Sequence, residues 1–294
     1  MTSVEFGRIN RRDPDRSLDL RPFVEDMKAL ADRGELQAEH GGSTFVAGDL
    51  SVDAHETYMS GLIGFAENDV VRSFEGDTRS WLKGEMREVD GAKQATLVPF
   101  AVDLREYRRW VCFAVSPRIK AATFRHAFEK TLNSALGALG LLPTEWEVDQ
   151  VVNLEMLDTW LGVNPDVAKL TRVVRLTNPT RDVDEARKKM RQLGAQKAEE
   201  TYKPPRAERL RLEDSEVFRS IVEGVEEGDV ELRLEARILG GGRERYRSGE
   251  HPARTVIPDF GSDHELGIEL VLDALRDFSR KRGDVLHGDR ELGR

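Results

Sequence analysis

Two apolar runs followed at once by a long amphipathic stretch constrain this chain most. Ala95 to Val102 and Arg108 to Val115 read as a hairpin-like pair of strands, joined around Asp103-Leu104-Arg105-Glu106. Lys120 to Leu141 then repeats its apolar residues at helical spacing, with Phe124, Ala127, Phe128, Leu132, Ala135 and Leu136 on one stripe, until Pro143 stops it. That stripe is the buried face of the helix.

The rest of the chain extends this pattern. Val4 to Asn10 reads as a strand, Arg11 to Asp15 as a turn, and Leu18 to Arg33 as a helix ended by Gly34. Ser43 to Ala47 and Tyr58 to Ala66 read as strands. Gly61 and Gly64 inside the second mark a bulge or a close backbone approach. Trp146 to Asn153, Leu170 to Thr177, Asp229 to Leu239, Arg243 to Ser248 and Thr255 to Pro258 are further extended segments, with a glycine turn at 240–242. Asp182 to Leu193, Ser215 to Glu226 and His264 to Arg282 are helical, and Glu199 to Arg211 reads as a linker or long loop. Strands and helices alternate without a βαβ rhythm. The expected class is α+β, with antiparallel or mixed sheets and packed helices in two domains, 1–167 and 168–294.

Charge is unevenly spread. Ala168 to Arg211 holds 13 Lys and Arg against 6 Asp and Glu, a local surplus of +7 in a chain of −9, which leaves −16 for the remainder. Phosphate binding follows the local field rather than the net charge. Lys169, Arg172, Arg175, Lys188, Lys189 and Arg191 are the candidate phosphate contacts; the competing reading is a solvated helix face and loop. Arg243, Arg245 and Arg247 form a second candidate. They alternate along one strand and project together, so they either grip a duplex as a β-arm or guard a sheet edge by charge. Arg233 and Arg237 on the preceding strand add cations, but Glu231 and Glu235 mute their field.

Signals for catalysis are weak. Arg282 and His287 share the Arg-x4-His spacing of a family of all-helical ribonucleases, but Gly283 disfavours a continuing helix there. Asp229, Glu231 and Arg233 lack the lysine a carboxylate nuclease strand needs. The six histidines are dispersed without metal-ligand spacing, so no metal or cofactor is expected. Gly240 to Gly242 lacks the helix and Lys-Ser/Thr of a phosphate-binding loop. Cys112, the single cysteine, sits in an apolar strand and reads as a small core residue. With no disulfide framework, no apolar signal region and no membrane-length apolar stretch, a soluble cytoplasmic protein is expected.

The layout resembles that of the RexA-like phage-exclusion proteins of temperate phages. The likeness runs through Phe6-Gly7-Arg8-Ile9-Asn10, then Tyr58-Met59-Ser60-Gly61-Leu62-Ile63-Gly64, then the pair Leu97-Val98-Pro99-Phe100 and Trp110-Val111-Cys112-Phe113 leading into the long helix. It continues through Leu176-Thr177-Asn178-Pro179 and a C-terminal helix, hairpin and helix. The resemblance implies a homodimer that binds double-stranded DNA without sequence preference, paired with a small membrane protein in the exclusion of superinfecting phage. It also implies a domain rearrangement that admits duplex, similar to RdgC-type ring or clamp proteins, and it offers no catalytic residues. The rival readings are a toxin-like nuclease of a phage-defence system and a protein-interaction module whose acidic remainder meets a basic partner.

Overall fold

In a computed structural model the described residues are 1–12, 22–33, 36–65, 74–75, 80–81, 96–139, 145–175, 186, 189–190, 192–195, 197–226, 228 and 230–291. The class is α+β, as expected, with antiparallel sheets. Backbone contacts divide the chain into two compact units. The first comprises Met1–Ile9, Pro14–Val148 and Arg254–Arg294; the second comprises Asn10–Asp13 and Asp149–Ala253. Residues 168–294, expected as one C-terminal domain, are therefore shared between both units.

The first unit is built on β1 (Thr2–Arg12), β2 (Leu36–His40), β3 (Ser43–Val52) and β4 (Tyr58–Phe65). A separate pair, β5 (Phe74–Glu75) and β6 (Ser80–Trp81), precedes β7 (Thr96–Asp103) and β8 (Trp110–Ala114). The main sheet runs in the order β14-β1-β8-β7-β4-β3-β2, where β14 is Arg254–Ile257, and β9 (Glu145–Gln150) pairs with β1 off this path. Its helices are α1 (Phe23–Arg33), α2 (Ala121–Ala138) and α5 (His264–Glu291).

Side-chain alternation decides which helix covers which face. Phe100 pairs with Phe113 in the ladder, and the α2 stripe packs on both: Phe124 stacks on Phe113 at 3.9 Å and Phe128 lies 4.8 Å from Phe100. The opposite face presents Phe6, Cys112 and Trp110. On it α5 lays Phe278, stacked on Phe6 at 4.0 Å and edge-on to Trp110 at 5.7 Å. Cys112 is fully buried there, and burial pushes its thiol up. The apolar stripe of α5 is what returns the C-terminal segment to the first sheet. Gly283 does not end this helix, which continues to Glu291. Beneath α5, the buried Asp103 carboxylate accepts from Ser279 Oγ at 2.6 Å and from Arg105 Nε at 2.7 Å.

The strand glycines mark close backbone approach. A Cβ on Gly64 would overlap the Thr96 carbonyl oxygen and the Leu97 side chain, and one on Gly61 would stand 2.8 Å from Leu50 Cδ2 and 3.0 Å from the Gly48 oxygen.

The second unit holds the antiparallel sheet β11-β10-β12-β13, made of β10 (Val167–Arg175), β11 (Lys197–Tyr202), β12 (Val230–Arg237) and β13 (Arg243–Arg247). One face carries Leu170, Val174, Val230, Leu232, Leu234 and Tyr246. Leu157 of α3 (Leu154–Val163), Ala186, Met190, and Ile221 and Val225 of α4 (Glu216–Glu226) complete this core. The helix expected over Asp182 to Leu193 is seen at Ala186, Lys189, Met190 and Gln192; Asp182 to Glu185, Arg187, Lys188 and Arg191 lie outside the described residues.

The expected loop from Glu199 to Arg211 needs correction, because Lys197–Tyr202 is β11. Its polar residues are held in strand geometry by cross-strand pairs: Thr201 Oγ1 lies 3.0 Å from Thr171 Oγ1, and Glu200 faces Arg172. Pro204 and Pro205 follow and end it. Likewise Arg11 and Arg12, expected in a turn, are still in β1.

Candidate nucleic-acid interface

Among the described residues, the cations of the basic segment do not share one surface. Alternation along β10 sends Lys169 and Arg172 to opposite faces of the sheet, Lys169 opposite Glu235 and Arg172 opposite Leu232 and Glu200. Arg172 is mostly buried, at 15% side-chain exposure, and its guanidinium lies 2.6 Å from Glu200. Lys189 is exposed, with its charge close enough to Glu200 to stabilise that carboxylate. Lys188, Arg191 and the side chain of Arg175 lie outside the described residues.

What the fold does bring together is Lys169 and the hairpin. On the face away from the core, the register aligns Arg237 with Arg243, Glu235 with Arg245 and Arg233 with Arg247; Lys169 and Lys197 share the same face. The three β13 arginines project together, as strand alternation requires. Tyr246, between them, is the pin that holds this orientation. It is buried on the core side, with its ring stacked 5.0 Å from His251 and tilted against Trp160 at 5.8 Å. Burial, with Asp158 nearby, pushes its hydroxyl up to about 12.

The acids named as muting the field do so by direct pairing. Arg233 reaches Glu231 at 2.7 Å and Glu199 at 3.9 Å, and Arg237 reaches Asp166 at 2.9 Å. A single carboxylate, Glu235, serves three cations: Lys169 at 3.4 Å, Arg243 at 3.1 Å and Arg245 at 3.9 Å. Burial raises the Glu235 pKa, but the surrounding cations outweigh that and hold it below the ordinary carboxylate range. Arg247 reaches the exposed Glu250, at 3.8 Å. Among the described residues, seven cations therefore meet five carboxylates on this face and its rim.

The side chains of Arg243, Arg245 and Arg247 stay 66%, 65% and 54% exposed. The Arg247–Glu250 pair, exposed on both sides, is worth about 0–1 kcal/mol and yields to a phosphate at little cost, whereas Glu235, at 18% exposure, competes with phosphate for Arg243 and Arg245. A cavity of about 200 Å³ opens beside them, lined by Lys169, Thr171, Glu199, Arg233, Arg245 and Arg247.

The nuclease candidates are differently employed. The Arg282 guanidinium lies over the Phe278 and Trp110 rings at 4.7 and 5.4 Å. The side chain of His287, and Asp229, lie outside the described residues. Among the described residues no group of three or more His, Cys, Asp or Glu is placed to hold a metal ion, and no helix is long and apolar enough to cross a membrane. Neither a scan of protein-family models nor a search of curated proteins gave a match.

Proposed function

We propose that this protein is a non-enzymatic, dimeric, cytoplasmic protein that binds double-stranded DNA without sequence preference, and that the row of β13 arginines on its second sheet makes the contact. One observation carries the reading: Arg243, Arg245 and Arg247 stand in a row, more than half exposed, on the face that also holds Lys169, with Glu235 shared among three of these four cations. Guanidinium forks on phosphate oxygens release condensed counterions, and that release supplies affinity without reading bases. The chain's net charge of −9 confines binding to this face and repels duplex elsewhere. The layout's likeness to RexA-like exclusion proteins supports a role in phage exclusion beside a small membrane protein.

The test is fluorescence anisotropy with duplexes of unrelated sequence over a salt series. Wild type binds all of them alike, and the triple variant R243A/R245A/R247A lowers the slope of log K against log salt by about 2 to 3, at roughly 0.9 for each phosphate left without its cation. No binding at low salt refutes the proposal. Cleavage of the labelled duplex in the presence of Mg²⁺ replaces it with the nuclease reading.

A further inference from the structure

The β12–β13 hairpin ends in an apolar tip that the core does not use. Leu239 is fully exposed and Ile238 is 43% exposed. A scattered surface leucine is ordinary. This one stands at the apex of a turn, between two strands whose nearest aligned residues are Arg237 and Arg243.

The turn around it is built narrow. Gly240 and Gly241 follow with φ of 99° and 87°, conformations that glycine adopts without strain. A Cβ at either position would meet nothing within 4 Å, so no neighbouring side chain crowds the tip. The Ile238 amide donates to the Gly242 carbonyl and the Gly241 amide to the Ile238 carbonyl, both at 3.2 Å, which closes the turn. The Ile238 side chain lies against Gly242, where a Cβ would come within 3.0 Å of its Cδ1. Leu239 thus projects alone from a closed, glycine-thinned turn backed by isoleucine.

We propose that Leu239 is a wedge that enters between base steps of duplex DNA and bends it, while the β13 arginines hold the flanking phosphates. The inference rests on the duplex-binding reading above and extends it from phosphate contact to deformation of the bound DNA. A strand rises about 3.4 Å per residue, so Arg243 to Arg247 spans about 14 Å and can follow a groove wall behind the tip. Apolar side chains of this kind partly unstack a base step and kink the duplex by roughly 20–90°. The favoured substrate is duplex whose deformation is cheap: pyrimidine–purine steps, mismatches or nicks, over stiff A-tracts. An anionic membrane offers the same charge, but stable anchoring needs far more buried apolar area than two aliphatic side chains supply.

The experiment uses the full-length chain and a duplex labelled at both ends for energy transfer, carrying a central two-base mismatch, alongside an A-tract control. Wild type raises transfer on the mismatched duplex more than on the control. L239S keeps salt-dependent binding by anisotropy and loses the rise in transfer, and L239F restores it. Equal transfer from wild type and L239S, with both bound, overturns the wedge and leaves the phosphate-binding reading standing. Absence of wild-type binding overturns both. Loss by L239S of binding to phosphatidylserine vesicles, with DNA bending unchanged, assigns the tip to membrane instead.

Discussion

Arg172 and Glu200 face each other across β10 and β11, with guanidinium Nε donating to Oε2 at 2.7 Å and the Tyr202 hydroxyl donating to the same oxygen at 2.8 Å. Burial drives the Glu200 carboxyl up; Tyr202, Arg172 and Lys189 together outweigh it and hold it below its ordinary range. The pair is already satisfied, so Arg172 has little to offer a phosphate. Arg172→Ala should lower stability by about 2 kcal/mol, the scale of a charged hydrogen bond lost in a half-buried setting. Urea melts report that loss, and DNA affinity of the folded variant stays at the wild-type value. A variant of normal stability and weakened binding would return Arg172 to the interface.

Glu235 makes the opposite case. Its carboxylate competes with phosphate for Lys169, Arg243 and Arg245 at once. Glu235→Gln keeps the shape and removes the charge. Affinity should rise, and the salt slope should steepen by about 0.9 for each further phosphate neutralised. Titrations of wild type and variant over the same salt series decide this. Unchanged affinity would mean that DNA does not touch this face.

These two residues also show where reading the chain alone stops. The hairpin β7–β8 and helix α2 are legible because each carries its period within one segment, and the Phe113–Phe124 stack follows from those stripes. The α3 helix, missed by periodicity, does carry a local signal: Asn153 caps it by accepting from the Glu155 amide at 3.0 Å. β2 and β11 offer little of the kind. β2 buries one residue fully, Leu36, and β11 is held by partners on β10 such as Thr171 and Arg172. Counting charge along Ala168 to Arg211 ignores which way each side chain points. Strand alternation then separates Lys169 from Arg172 and joins Lys169 to arginines more than 70 residues away. The sharing of Glu235 by three cations is a tertiary fact with no counterpart in spacing.

Gly64 and Gly61 differ in how their neighbours yield. At Gly64 an added methyl meets the Thr96 carbonyl and the Leu97 backbone as well as the Leu97 side chain, so the β4–β7 ladder itself would have to shift. At Gly61 the nearest atom is the end of the Leu50 side chain, which can rotate away, although the Gly48 oxygen remains at 3.0 Å. Gly64→Ala should therefore cost about 3 kcal/mol and Gly61→Ala about 1 kcal/mol, measured by chemical denaturation. The reverse order would mean that the sheet tolerates separation at Thr96 better than the side chain of Leu50 tolerates movement.

His264 and His40 both contribute to the pH response of the first unit. Burial lowers the His264 pKa, against the pull of Asp263 and Asp49, and it opens α5, where the helix dipole also disfavours a cation. Burial, Lys130 and His126 lower that of His40. In both, the folded chain resists protonation more than the unfolded chain does. Stability is therefore full above the unfolded value of about 6.5, falls as pH drops through it, and levels off once the folded imidazoles are also charged. Urea midpoints between about pH 8 and about pH 5.5 should decline for wild type, and the double substitution H40Q/H264Q should flatten that decline. A double variant that keeps the full slope would place the titrating groups elsewhere. A midpoint that rises on acidification would contradict the lowered values directly.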